Sequence, residues 1–516
     1  MLAGLFLFIG IPVTDPTVIA KCGTCHTVDD HGMMQRVSYQ RATPEGWQIV
    51  LKRMLRTGRI SISQNDARDI VKYLSDTHGL APEESKPVMY EPERRVHDES
   101  SAANETLLNT CAKCHTLARV LSWRRTPDDW KQFAGEHAER YKFKLTDEVL
   151  KLLSDTAPLE SPEWSSWTAR ANPRALTGRW MVTAHVPGKG KFFGEMIVAD
   201  GAGPGEFVTH VGLRSIADGS TLERMSRIVV YAGHEWRGRS KGTTTVALTA
   251  PDDLLSDARE AMWISPDASR AEGRWFWGQY QEFGFDVTMQ RASGTTLLAL
   301  DVSSLKIGSQ GNRVRLIGAH FPDKIAVTDI AAGPDLTISR IVSNSPSEIV
   351  AELDVSSSTT PGRRDIAVGS SRLSGAIAIY DRIDYIRVMP DAAMAAFSDA
   401  THPLGLQQFE AIAYQRGADG HMHTPDDLEL GPVDAKWSME IFYETDTSKH
   451  ELVGNISQTG LFTPAATNPG MNYDVWIIAT ANNMTAKSYV VVTVPTYSFQ
   501  GHQYVRDLDR WVEENN

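Results

Sequence analysis

The chain has 516 residues, 41% hydrophobic and 22% charged, with 64 acidic against 52 basic side chains and a net charge of −12. This length predicts three to five domains, with apolar material for several cores. The acidic balance and the lack of a basic block exclude a nucleic-acid surface, and no apolar run reaches the roughly 18 residues of a membrane span.

At the N-terminus, Leu2 to Ile11 form an apolar run that ends at Pro12, with Asp15-Pro16 just beyond. The run suits the apolar region of a secretory leader and is too short to cross a bilayer. No basic residue precedes it and no A-x-A-like site follows. Residues 1–16 are therefore expected to be a leader, with an N-terminal strand or packed arm as the alternative.

All four cysteines fall in the first quarter of the chain, at Cys22, Cys25, Cys111 and Cys114. A disulfide-stapled protein would spread them through its domains. Here they form Cys22-Gly-Thr-Cys25-His26 and Cys111-Ala-Lys-Cys114-His115, two C-x-x-C-H motifs of the kind that attaches haem c covalently. Each thiol adds across a haem vinyl group, and the adjacent histidine reaches the iron. A single zinc site could use both pairs, but 85 residues separate them and zinc gives no reason for a histidine after each. A thioredoxin-like pair would need a βαβ setting that is missing here. Two covalent haems predict export, since attachment takes place outside the cytoplasm.

The flanks of the motifs repeat as well. After His26 come Arg41-Ala-Thr43-Pro44, Trp47 and Met54; after His115 come Arg124-Arg-Thr126-Pro127, Trp130 and His137. Each Thr-Pro opens a helix, and Leu-Ser-Asp-Thr closes each copy at 74–77 and 153–156. Met54 and His137 each lie seven residues, or two turns, past the tryptophan, so each shares a helix face with it. A thioether and an imidazole are the two usual sixth ligands of a low-spin haem c. The expected iron ligands are therefore His26 and Met54 for the first haem, and His115 and His137 for the second. His31, Met33 and Met34 are the rivals of Met54, and His97 is the first rival of His137. As structural residues, Met54 would be core and His137 a surface side chain. Ser63 caps the closing helix of the first copy, with Ala67, Ile70, Val71 and Leu74 as its apolar stripe. This gives tandem cytochrome c-like modules at 17–80 and 107–168, with a polar linker at 81–106.

From about Leu176 short alternating runs broken by glycine turns predict β-structure: Trp180–Val186, Phe192–Val198, Arg227–Tyr231 and Thr243–Leu248 in a barrel over 169–293. An immunoglobulin-like unit is expected over 294–390 and a third β unit over 391–516, closing with Tyr489–Val494. The fold class is thus a helical dihaem region followed by three antiparallel β domains, barrel or immunoglobulin-like sandwich. G-x-S-x-G, H-E-x-x-H and dinucleotide fingerprints are all missing. His421-Met-His423 beside Asp426-Asp427 reads as a polar loop before a metal site, and Trp275-Phe-Trp277 as strand packing.

The first motif, Gln40–Trp47 (QRATPEGW) and the methionine seven on resemble the α subunit of quinohaemoprotein amine dehydrogenase. The likeness continues at Tyr231–Gly238 (YAGHEWRG), Pro361–Gly369 (PGRRDIAVG) and Gln408-Phe-Glu-Ala411, and so spans nearly the whole chain. The resemblance implies a periplasmic heterotrimer with a propeller β subunit and a small γ subunit bearing a cysteine tryptophylquinone. Primary amines are oxidised there to aldehyde and ammonia, so no residue of this chain is carried over as catalytic. Electrons would leave through the haems to a soluble cytochrome c or cupredoxin. The leader and the shorter second module depart from the family pattern. The alternatives are a stand-alone dihaem cytochrome with β adhesion-like modules and a dihaem peroxidase-like enzyme.

Overall fold

The computed structural model describes residues 10–495, except 57–59, 98, 100–103, 113, 169–175, 245–246, 249, 292–293, 334 and 444–448. Most of the expected leader, 1–9, lies outside the described residues. The next few residues pack as an arm: the Ile11 and Val13 N–H groups donate to Ser38 and Gly32 carbonyls, both at 2.9 Å, and Val13 is buried.

The first copy of the repeat contains α1 (Pro16–Cys22), β1 (Gln40–Ala42), α2 (Pro44–Arg56) and α3 (Gln64–Thr77). Asp15 caps α1, accepting the Val18 N–H at 2.9 Å ahead of Pro16 at the first helical position. Ser63 caps α3 at 3.1 Å, and Ala67, Ile70, Val71 and Leu74 form its buried face as their spacing predicts. After α4 (Pro82–Ser85), the second copy repeats the order with α5 (Glu105–Cys111), α6 (Ala118–Leu121), β2 (Trp123–Arg125), α7 (Pro127–Tyr141) and α8 (Asp147–Thr156), and α9 (Pro162–Thr168) comes after it. The helices α3 and α8 both end on the threonine of Leu-Ser-Asp-Thr.

The strands β1 and β2 pair antiparallel with Arg41 opposite Arg124. Those are matching positions of the two copies, so an approximate two-fold axis passes between them. The stretch 81–106, expected as a polar linker, is partly buried where it is described, against both copies and the barrel. Leu80, Val88 and Ala118 form one small core, and Glu84 and Glu93 are buried. Its polar composition misled because these carboxylates are paired inside the protein with Arg41, Arg124 and Arg274.

Eight antiparallel strands come next: β3 (Gly178–Val186), β4 (Gly190–Asp200), β5 (Glu206–Ser215), β6 (Thr221–Tyr231), β7 (Glu235–Gly242), β8 (Ala258–Ile264), β9 (Arg270–Trp277) and β10 (Phe283–Gln290). Each pairs with its successor, and β10 returns to β3 to close a barrel around Trp180, Trp236, Met262, Trp275, Phe285 and Met289. The expected strand Thr243–Leu248 does not form among its described residues. The strand before it ends at Gly242, where Leu255 lies only 2.4 Å from the position a Cβ would take. The Gly242 N–H donates to Leu255 O at 3.1 Å, turning the chain back across the strand end.

Beyond the barrel lies a two-sheet sandwich, with β11 (Thr296–Leu300), β12 (Ser304–Lys306), β13 (Asn312–Ala319), β14 (Ile330–Ala331), β15 (Leu336–Asn344), β16 (Glu348–Val355), β17 (Gly362–Val368) and β18 (Ser371–Tyr380). Its sheets, β11-β13-β16-β15 and β12-β18-β17-β14, enclose Val314, Leu316, Ile349, Leu353, Ile366 and Ile377. A last β unit occupies Tyr385 to Thr493. In both of these units one short early strand lies parallel to the last strand, β12 to β18 and Ala392–Ala396 to Met484–Thr493, against a purely antiparallel expectation. Among the described residues no helix is long and apolar enough to cross a membrane.

Candidate functional site

In each copy a helix ends on the first cysteine of the motif and the backbone turns back over it. The Cys25 and His26 N–H groups donate to Cys22 O at 3.1 and 2.9 Å, and Cys114 N–H donates to Cys111 O at 3.3 Å. All four thiols are free; Cys25 and Cys114 are exposed, Cys22 is half-buried and Cys111 buried. Burial, reinforced by the neighbouring thiol, pushes Cys22 up and Cys111 up to about 11. A thioredoxin-like pair needs the opposite shift. Among the described residues no three His, Cys, Asp or Glu side chains converge on a metal position, so the two pairs do not form one zinc site. The same holds for His421 and His423, whose loop uses Asp427 to accept from Tyr385 and Thr424 at 2.6 and 3.0 Å.

The imidazoles after the motifs are oriented by backbone. His115 Nδ1 lies 3.1 Å from Thr116 O, and His137 Nδ1 lies 3.2 Å from Phe143 O. A carbonyl has no proton to give, so in both rings the hydrogen sits on Nδ1 and Nε2 keeps its lone pair for a metal. Burial depresses the proton affinity of His115, and the charges of Arg119 and His137 add to the effect. His26 is depressed by burial and by Arg36, against a backbone hydrogen bond with Gln35 that favours its protonation.

Met54 lies on α2 with Trp47, and His137 on α7 with Trp130, as the spacing requires. The indole N–H groups of Trp47 and Trp130 donate to His78 O and Ala157 O at 3.1 and 3.2 Å, so equivalent bonds fix both helices. Met54 and His137 are half-buried. Phe133, Tyr141 and Phe143 surround the His137 ring with centroids 5.8, 4.9 and 6.1 Å away. Among the rivals, Met34 is fully buried in the core of the first copy, and His97 lies against the Tyr90 ring at 4.4 Å and 3.6 Å from Glu93.

The charge near these residues suits an anionic group. Arg53 precedes Met54, Arg119 lies four residues past His115, and Arg140 three past His137. Burial and the charges of Arg140 and Arg119 lower the proton affinity of Arg53, whose buried Nε has no hydrogen-bond partner among the described residues. Free thiol pairs, imidazoles with an open Nε2 and a buried guanidinium Nε without a hydrogen-bond partner among the described residues fit a haem with its propionates.

Sequence motifs did not reveal a second cluster, which fastens the helical region to the barrel. Arg237 on β7 grips Glu45 on α2 at 2.7 and 3.0 Å and lies 3.4 Å from Glu235, while Thr43 donates to Glu91 at 2.6 Å. Burial opposes ionisation of Glu45, yet Arg237 outweighs it and holds the carboxyl below its usual range. Burial pushes Glu91 up to about 8, aided by the charge of Glu45, and Glu235 up to about 8 despite Arg237. Glu45 and Arg237 belong to Gln40–Trp47 and Tyr231–Gly238, so two strings that carry the family resemblance meet in space. A third, Gln408–Ala411, meets the barrel through Glu410, which lies 2.7 Å from His185.

A search of curated proteins gives no match. Among solved structures, the N-terminal Ig1-2 module of the Drosophila receptor protein tyrosine phosphatase DLAR aligns at 8% identity and TM-score 0.15, covering 39% of this chain and 99% of that one. A chimeric titin Z1Z2 carrying a decorin peptide gives 14% and 0.16, covering 40% and 100%. Human protocadherin-24 EC1-2 gives 9% and 0.14, covering 40% and 100%. Scores this low carry no argument. Four family models match in order along the chain: quinohemoprotein amine dehydrogenase A, alpha subunit, haem binding, at residues 13–157, and alpha subunit domains II, III and IV at 173–292, 294–381 and 386–501. With a helical haem-binding region and β domains all matched, the chain belongs to the quinohemoprotein amine dehydrogenase alpha-subunit family.

Proposed function

We propose that this chain is the dihaem electron-transfer subunit of a periplasmic amine dehydrogenase. The observation that carries the reading is the duplicated site: two C-x-x-C-H turns, each closing a helix on its first cysteine and each followed by a tryptophan-anchored helix. When bound, haem c supplies a one-electron carrier at each site. Cys22 and Cys25 hold one haem through thioether bonds, and Cys111 and Cys114 hold the other. His26 and Met54 would supply the donors to the first iron, and His115 and His137 those to the second. Sulfur on one side and two nitrogens on the other separate the potentials, because the softer thioether favours ferrous iron. With four protein donors in place neither site keeps an open position for a substrate. That favours electron transfer over peroxidase-like chemistry.

The helical copies are cytochrome c-like modules and the sandwich of 294–390 is immunoglobulin-like; this sandwich, the barrel and the last β unit act as scaffold and docking surface. No residue of this chain is catalytic. Primary amines are oxidised at a cysteine tryptophylquinone on a γ subunit, with a propeller β subunit completing the assembly. This chain accepts the electrons and passes them to a soluble cytochrome c or cupredoxin. Thioether formation outside the cytoplasm puts it in the periplasm.

Purification of the native assembly tests this. Mass spectrometry should find two haem masses on this chain, a quinone stain should mark the smallest subunit, and amine should reduce the haems only with that subunit present. A single haem mass, or amine turnover by this chain alone, refutes the reading.

A further inference from the structure

An ion pair joins the two helical modules. Arg36 Nη1 donates to Glu136 Oε1. Arg36 lies in the turn before β1, and that turn is stitched to the first motif: Gln35 N–H donates to Thr27 O at 2.9 Å, and Val28 bridges to Met34. Its backbone is left-handed, φ 71°, an unfavourable conformation for a residue with a Cβ. Glu136 immediately precedes His137 on α7. Each end of the pair is therefore held close to a residue proposed as an iron ligand.

The pair is not needed to hold the modules together. Its side chains keep 27% and 43% exposure, and an ion pair this open contributes little to stability. The modules are already joined by β1 and β2 and by Glu84. Its polarity is informative instead. Reduction removes one positive charge from iron, so a nearby cation raises a haem's potential and a nearby anion lowers it. Both charges also act on Arg125 of β2, so the pair lies at the seam where the modules meet.

We propose that Arg36 and Glu136 form a fixed dipole across the inter-module face that drives the two haem potentials apart, raising that of the His26 haem and lowering that of the His137 haem. The inference rests on the ligation given under the proposed function. It makes Arg36 and Glu136 positioning residues for charge, acting in the same direction as the thioether and the imidazole.

Spectroelectrochemical titration of the purified holo-assembly tests it, with haem content measured by mass on each variant. Arg36→Gln should lower the potential of the His26 haem, shifting electron exchange between the haems by roughly two- to fivefold. Glu136→Gln should raise the potential of the His137 haem, and Arg36→Lys should stay near wild type. The charge-reversed double variant R36E/E136R can rebuild an ion pair but inverts its dipole, so the gap should narrow from both ends. If the double variant restores wild-type potentials, the pair is structural and the proposal is overturned. Unchanged potentials in Arg36→Gln with both haems attached overturn it too. A wild-type chain without two covalent haems instead fails the ligation reading, and this inference with it.

Discussion

Arg41 and Arg124 face each other across β1 and β2 at equivalent positions of the repeat, and both guanidinium groups bond to one carboxylate, Glu84. Arg41 reaches it at 2.7 and 2.9 Å and Arg124 at 3.1 Å. Ser161 Oγ and the Ala81 N–H add bonds of 2.9 and 2.8 Å. The approximate two-fold axis thus carries two buried cations that symmetry alone would leave in repulsion. The segment between the modules supplies the anion.

Glu84→Gln should therefore be among the most damaging single changes in the helical region. It leaves two buried guanidinium groups without an anion, a loss of about 3–5 kcal/mol. The melting curve should split, with the helical region unfolding before the β units; a single unshifted transition would rule this out. Burial resists ionisation of Glu84, but Arg41 and Arg124 hold it down to about 2. The folded-state value lies below the ordinary one, so this contribution is present above about pH 4.5 and is lost as pH falls toward about 2.

The contact between module 1 and the barrel carries the opposite pH dependence. Glu91 and Glu235 are pushed up to about 8, so between the ordinary carboxylate value and about 8 the folded state holds protons that the unfolded chain releases. Stability must then fall as pH rises through that window. Amide exchange in β7 and the first turn of α2 should speed up from about pH 6 to about pH 9 beyond the intrinsic base catalysis. Glu235→Gln should flatten the trend and stabilise the protein at the alkaline end by about 1–3 kcal/mol, because a neutral amide cannot acquire the buried charge that Glu235 takes on there. Equal protection at both ends would show that these carboxyls ionise normally.

The helical repeat was legible because its landmarks are local. Ser63 and Thr126 cap helices through their own side chains, and the Trp spacing comes from helical geometry. Of the strands named from alternation, all but Thr243–Leu248 form. The segment 81–106 was not, because Glu84 and Glu93 look solvated until Arg41, Arg124 and Arg274 are brought beside them from 43, 40 and 181 residues away. Nor was Arg36, whose partner is 100 residues on. Glu45 and Arg237 were already present in strings that carried the family resemblance, but only the fold shows that those strings touch.

The sixth ligands are the part of the proposed site that spacing reached and mutagenesis must decide. Met54→Ala should abolish the far-red thioether-to-iron charge-transfer band of ferric haem c and leave the second haem low-spin. Trp47 is held to His78 O whatever occupies position 54, so α2 should stay in place and the loss should be local. Met54→His should lower that potential and narrow the gap, since nitrogen replaces the softer donor. His137→Ala should give one high-spin or water-ligated haem and keep the band. The surrounding Phe133, Tyr141 and Phe143 rings offer no comparable donor. If Met54→Ala keeps the band, Met33 becomes the first residue to test, because Met34 is sealed in the module core among Val13 and Val18. If His137→Ala leaves both haems low-spin, the donor must come from elsewhere. His97 could serve only by leaving Tyr90 and Glu93, a displacement that a Glu93→Gln background should make easier and that would appear as a further change in the second haem's spectrum.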